Sequence, residues 1–219
     1  MSNSNSRKQL ASVVFVGLLL VCSTGCIARF AANMIHAAHG NLVDAKCDAL
    51  EEKKVAVVCV SATDAFGPRP ISAIVAEKVG RQLSVNVKEV EIVDQQEIED
   101  WIDKNDWNEI DFPDIGKDLE VDRVLAIDLN SFGLYEGKTM YKGRADVSLV
   151  VYDIPSGKEI FSYTPSQIQW PRNTGTHTTD LSENEFRRRF VDILSRRIAR
   201  HFHAYDATED FAQDSSIVQ

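Results

Sequence analysis

Val55-Ala56-Val57-Val58-Cys59-Val60 is a run of six apolar residues directly behind the charged Glu51-Glu52-Lys53-Lys54. A run this short, rich in β-branched side chains and without polar alternation, reads as a strand buried on both faces. A strand of that kind belongs to a sheet covered by helices, so this stretch points to an α/β fold. The residues that follow agree. A loop over 61–70 holds Gly67-Pro68 and Pro70, after which Ile71, Ile74, Val75, Val79 and Leu83 recur at helical spacing. A second strand is expected over about 87–93, with Val87, Val90 and Ile92 as its apolar positions. Asp94-Gln95-Gln96-Glu97 has the form of a capping box and opens a helix with Ile98, Trp101 and Ile102 on one side.

Residues 105–120 are acidic and punctuated by Pro113 and Gly116, which predicts a short helix over about 113–119 with proline in its first turn. Residues 121–129, holding Val124-Leu125-Ala126-Ile127, form a third strand, expected at the centre of the sheet. Residues 131–143 are polar and glycine-bearing, a loop or an extension of that strand. Ala145, Val147, Leu149 and Val151 alternate with outward-facing neighbours, Pro155-Ser156-Gly157 makes a turn, and 158–163 returns as a hairpin partner. Residues 170–180 read as an irregular loop. A second capping box, Ser182 to Glu185, starts the last helix, whose apolar stripe is Phe186, Phe190, Ile193, Leu194, Ile198 and Phe202. The element order predicts an α/β (α+β) fold: a mixed sheet, parallel in its first half and an antiparallel meander in its C-terminal half, with helices packed on it. This domain is expected to span 54–204, and 205–219 to be a disordered acidic tail.

The N-terminus decides location. Arg7 and Lys8 precede an uncharged, apolar run from Leu10 to Cys22, which gives way to Ser23-Thr24-Gly25 and then Cys26. A basic start, an apolar run of roughly 7–15 residues and a small-residue cleavage site define a secretory signal. The run is short for a bilayer span, which takes about 20 apolar residues. The segment resembles a bacterial lipoprotein signal, and the resemblance implies that 1–25 is removed and Cys26 is lipidated as the mature N-terminus. Ser23 departs from the pattern, which usually has leucine there, and an uncleaved N-terminal anchor is the alternative. Residues 26–53 then form a lipid-anchored segment and linker. Within it Ile27, Phe30, Ala31, Met34, Ile35 and Ala38 fall at helical spacing. In either reading the domain faces the periplasmic side of a membrane. Ile27 stands where aspartate would be an inner-membrane retention signal, which leans the expectation to the outer membrane.

The 219 residues are 44% apolar, which fits a folded domain, and the net charge of −9 argues against nucleic acid as a partner. Cys47 and Cys59 are the cysteines left for the domain, and they are expected to be thiols rather than a disulfide. There is no Cys-x-x-Cys motif and no Cys/His metal spacing, so neither a metal nor another cofactor is expected.

Three pieces of sequence carry a likeness at the level of the domain: the strand from Lys54 followed by a loop and helix, Val121-Asp122-Arg123-Val124-Leu125-Ala126, and Val150-Val151-Tyr152-Asp153 with Ser156-Gly157-Lys158-Glu159-Ile160. In these the chain resembles a family of envelope α/β modules. Such modules occur in the N-terminal domain of the Tol-system protein TolB, in the curli secretion lipoprotein CsgG and in lipoprotein activators of penicillin-binding proteins. The resemblance implies a binding module rather than a catalyst. The membrane-spanning hairpins of the curli protein have no room between Leu129 and Ala145, so a pore is not expected.

No catalytic motif is present, and the chain is expected not to be an enzyme. His177, in Thr174-Gly175-Thr176-His177-Thr178-Thr179-Asp180, would be needed by a hydrolase; a solvated loop before a helix cap explains it as well. Two surfaces are candidates for binding. One is the loop after the first strand, with Ser61, Asp64, Phe66 and Arg69, because open α/β sheets bind ligands beyond the carboxyl ends of their strands. The other is the last helix, whose Arg188, Arg189, Arg196 and Arg197 offer docking to an acidic partner or to headgroups. The expected function is that of a lipid-anchored, non-enzymatic envelope accessory or scaffold protein with an envelope protein as partner. The alternative is a ligand-binding auxiliary lipoprotein of a transport system.

Overall fold

The computed structural model describes residues 42–61, 69–105 and 111–208. The chain divides into two compact units, Met1–Leu42 and Val43–Gln219. The second contains the strands β1 (Lys54–Ser61), β2 (Glu91–Ile92), β3 (Arg123–Glu136), β4 (Met140–Asp153), β5 (Lys158–Tyr163), β6 (Ile168–Trp170), β7 (Thr176–His177) and β8 (Tyr205–Asp206). Its described helices are α1 (Ile71–Asn86), α2 (Gln95–Lys104), α3 (Phe112–Asp118) and α4 (Glu183–Ala199). Cys26 and the signal segment lie outside the described residues, as do 209–219.

The main sheet runs β2-β1-β3-β4-β5. β1 is parallel to both neighbours, with Lys54 opposite Glu91 and Val55 opposite Arg123. The β3–β4 and β4–β5 pairs are antiparallel. The fold is therefore a mixed α/β sheet, parallel in its first half and antiparallel in its second. The alternation along β1 divides the core. Val55 and Val57 face α1 and α4, joining Val75, Val79, Leu83, Phe186, Phe190, Leu194 and Ile198. Ala56 and Val58 face the other side with Ile98, Ile115 and Leu119. Double-sided burial is what the unbroken apolar run demands, and Val55 to Val58 are buried whichever way they point.

Three expectations change in detail. The strand over 87–93 contracts to Glu91–Ile92, because α1 runs on to Asn86 and Val87 becomes its C-cap, its N–H bonded to the Leu83 carbonyl at 2.8 Å. The third strand continues through 131–136 and turns at Gly137, φ +67°, into β4, so this region is a strand extension and a hairpin. The irregular loop over 170–180 begins at the end of one strand and contains another. β5 pairs with β4 only over Leu149 to Asp153, and the edge left open is taken by β6 at 143–145 and β7 at 140–141.

The stretches that carried the family likeness hold the sheet together. The Asp122 carboxylate accepts the Lys54 N–H at 2.9 Å, fixing the start of β1 against β3. Arg123 is ion-paired with Asp153, directly opposite in the β3–β4 register. Asp153 also accepts from the Ser156 N–H at 3.1 Å, holding the turn in which Gly157 adopts φ +67°. Serine hydrogen bonding, with Arg123 assisting, holds the Asp153 carboxyl below its usual range.

Gly143 on β4 is required by close approach. A Cβ there would lie 2.4 Å from the Phe190 ring, which lies against the strand backbone at that point.

Candidate functional site

The loop after β1 leaves the sheet at its carboxyl edge, as expected, with Ser61 the last residue of the strand. Asp64 and Phe66 lie outside the described residues. Arg69, at the return of the loop, is committed to two carboxylates, Glu77 of α1 at 2.5 Å and Glu99 of α2 at 2.6 Å. The Arg69 hydrogen bond holds the Glu77 carboxyl low. The guanidinium thus ties α1 to α2 at the base of the loop. Beside it is an open hollow of about 440 Å³, lined by Arg69, Glu77, Gly80, Ser84, Asp94 and Gln96 among others.

The arginines of α4 fall into two groups with different chemistry. In the N-terminal half they are answered within the helix. Arg187 pairs with Glu183 at 2.5 Å, Arg188 pairs with Glu185, and Arg189 reaches the same Glu185 at 2.9 Å. Spacings of three and four residues put these side chains side by side on the helix surface. Arg188 and Arg189, two of the four docking candidates, therefore present charge already largely compensated.

In the C-terminal half the sequence places Arg196 and Arg197 in the last turn, where cations suit the negative end of the helix dipole. Arg196 lines a small hollow with Lys78, Arg81 and Asp192, the last ion-paired to Lys78 at 2.5 Å. Arg197 turns to the other side and donates to the Gln169 carbonyl on β6 at 2.8 Å. That bond fastens the helix to the strand, and a hollow of about 410 Å³ lies beside it. Its lining brings together Arg172, Arg197, Arg200 and His201, with Gln167 and Gln169, Ile168 and Tyr205. Arg200 is buried, only 5% exposed, and its guanidinium lies 4.8 Å from the Tyr205 ring centroid. Sequence reasoning placed Arg172 in an irregular loop; it reaches this hollow because β6 pairs with β4 and carries the following residues to the end of α4.

His201 closes the hollow on the side of the linker. Its carbonyl accepts the N–H groups of Lys46 and Cys47 at 2.8 and 3.0 Å, and its ring meets Tyr163 edge-on. Burial, and after it the Lys46 ammonium, pushes the imidazole down to about 4. An unfolded histidine titrates near about 6.5, so on acidification the unfolded chain takes up this proton first. The folded state should lose stability from about pH 6.5 down to about pH 4, and gain nothing above that window. The ring is partly exposed, so the expected loss is held to about 1–2 kcal/mol. Urea midpoints measured across that window should fall in the native chain and fall less in His201→Phe; equal slopes would remove His201 as the cause.

His177 sits on β7 with an exposed side chain, opposite Met140 of β4. The neighbouring Thr179 hydroxyl is engaged with Asp180 at 3.1 Å. Cys47 is buried and Cys59 partly so, and the two are thiols rather than a disulfide. Burial raises the Cys47 thiol above its ordinary value. Among the described residues no group of three His, Cys, Asp or Glu side chains is placed to hold a metal ion. No helix among them is long and apolar enough to cross a membrane.

No protein-family model and no curated protein matches the chain in sequence. Among solved structures it is similar to the lipoprotein GNA1162 from Neisseria meningitidis, at 16% identity over 67% of this chain and 97% of that one, with a TM-score of 0.45. It is also similar to the PelC dodecamer from Paraburkholderia phytofirmans, at 11% identity over 74% of this chain and 95% of that one, TM-score 0.45. A third is the LpoB C-terminal domain from Salmonella enterica, at 10% identity over 56% of this chain and 87% of that one, TM-score 0.39.

Proposed function

We propose that the chain is a lipid-anchored, non-enzymatic accessory or scaffold protein of a bacterial envelope, held to the periplasmic side of the outer membrane through Cys26 and docking another envelope protein with the C-terminal end of α4. The observation that carries the docking reading is the gathering of Arg172, Arg197 and Arg200 around one hollow in a chain of net charge −9. Local cationic surface in an acidic protein steers a partner to one place and sets its orientation. The anchor is supported by the residues from Arg7 to Cys26, and the non-enzymatic reading rests on the sequence, which holds no catalytic motif. The hollow beside Arg69 favours a second reading, a ligand-binding auxiliary of a transport system, with that polar cavity as its site.

Cross-linking in intact envelopes followed by membrane fractionation tests both parts. The native chain should sediment with membranes and give one defined cross-linked partner. Cys26→Ser should leave the membrane fraction, and Arg172→Glu should stay in it and lose the partner. An Arg172→Glu chain that retains the partner would end the docking reading, and a Cys26→Ser chain that remains membrane-bound would end the lipid anchor.

A further inference from the structure

Lys78, Arg81 and Gln82 stand at i, i+3 and i+4 on α1, and Asp192, Ser195 and Arg196 stand at the same spacing on α4. Side chains so spaced share one face of a helix. The two faces meet around a hollow of about 200 Å³ that these residues line. Asp192 is held by Lys78 at 2.5 Å, and Arg81 is paired with Glu77 on its own helix. Arg196 is different. It is half-buried, and among the described residues its guanidinium has no carboxylate partner, although the chain holds 33 acidic residues against 24 basic ones. Its place in the last turn of α4 suits a cation, but that does not account for the residue beside it. Ser195 is only 1% exposed, and its hydroxyl has no hydrogen-bond partner. A buried hydroxyl left unpaired costs stability, and native structures rarely keep one.

We infer that this hollow is an anion site for a phosphate group, held by Arg196, Arg81 and Lys78 with the Ser195 hydroxyl as a further donor. It shares no lining residue with the hollow around Arg172 and stands apart from the docking reading. An ammonium has three donors and a guanidinium five, so Lys78 and Arg81 keep donors after meeting their own carboxylates. Arg196 brings a whole fork, and Gln82 an amide. A phosphate carries three strong acceptor oxygens and can meet α1, α4 and Ser195 together, whereas a carboxylate offers two. The cations of the lining outnumber Asp192 by three to one, which suits a dianion. The hollow is smaller than the roughly 300–1,000 Å³ of pockets for drug-sized ligands, so the phosphate enters as a free ion or as a terminal group.

The test is isothermal titration of the full chain with sodium phosphate at constant low ionic strength. Saturable binding with a Kd of about 1 mM is expected, weakened about tenfold in Arg196→Gln and partly recovered in Arg196→Lys, which keeps the charge. Arg188→Gln should bind as the native chain does, because Arg188 is paired with Glu185 elsewhere on the helix. At about ten times that Kd, phosphate should raise the melting temperature of the native chain by about 3–6 °C and that of Arg196→Gln far less. Ser195→Ala separates a ligand from a water. Without phosphate it should melt no lower than the native chain, since it removes an unpaired hydroxyl, and it should bind phosphate more weakly. A Ser195→Ala chain that melts lower without phosphate, yet binds phosphate as tightly as the native chain, would assign the hydroxyl to a water and overturn the inference. The absence of saturable binding overturns it too, as does an equal affinity or an equal melting shift in the native and Arg196→Gln chains. Glycerol 3-phosphate, the water-soluble head of a phospholipid, distinguishes the sources: tighter binding than inorganic phosphate assigns the site to a headgroup, and weaker binding to the free ion.

Discussion

Phe190→Ala should lower the stability of the folded chain by about 3–5 kcal/mol, the cost of emptying a large buried aromatic site. Phe190 lies in the middle of α4 and is fully buried, with its ring 5.4 Å from that of Phe132 on β3. It also lies in the core group formed by β1, β3, β4, α1 and α4, and it covers the backbone of Gly143. Phe132 of β3 and the Gly143 backbone of β4 bound the space it would leave, and a strand backbone has little freedom to collapse into it. A urea titration should show the midpoint falling with the slope unchanged. A loss under about 1 kcal/mol would mean that α4 is not packed on the sheet as described.

Gly143→Ala attacks the same contact from the opposite side and is expected to cost about 2–3 kcal/mol. A single methyl there would meet the Phe190 ring at 2.4 Å, and the atoms it meets are in the body of the ring rather than at its far end. The ring cannot move aside without leaving Phe132 and the core of the sheet. Since the two residues share one contact, their substitutions should not add. Gly143→Ala combined with Phe190→Leu should be more stable than the sum of the two single losses implies, and simple additivity would show that the strain lies elsewhere. Alanine at a β4 position that faces solvent has no such cost, which separates crowding from strand propensity.

How far the sequence could be read depended on whether local pattern or long-range pairing decided each element. β1 was legible because a six-residue apolar run has few ways to be satisfied, and both of its faces are covered. The caps of α2 and α4 were legible because Asp94 and Ser182 act on amides two or three residues away. β6 and β7 were not, because three and two residues carry no measurable period. They are strands only because β5 leaves part of β4 open. The site divides in the same way. The arginines of α4 could be seen as a set, and Glu183 and Glu185 at the right spacing could have marked which of them are answered. That Arg172 joins Arg197 and Arg200 depends on β6 lying against β4, which no local signal states. Arg69 was read as a ligand-facing group; its two carboxylate partners come from helices whose relative placement the sequence does not specify.

The parallel pairing of β1 with β3 has a consequence in time. Val55 pairs with Arg123, and the register continues to Ser61 opposite Leu129, so the long neighbour of β1 is made some seventy residues after it. A chain emerging from its N-terminus exposes the most apolar strand first and completes its pairing late. The β3–β4 and β4–β5 pairs, joined by tight turns, close quickly and locally. β1 therefore waits for a hairpin that has yet to be synthesised, and until then it is an unpaired apolar edge of the kind that aggregates. Glu51-Glu52-Lys53-Lys54 on its N-terminal side acts as a charged gatekeeper during that interval.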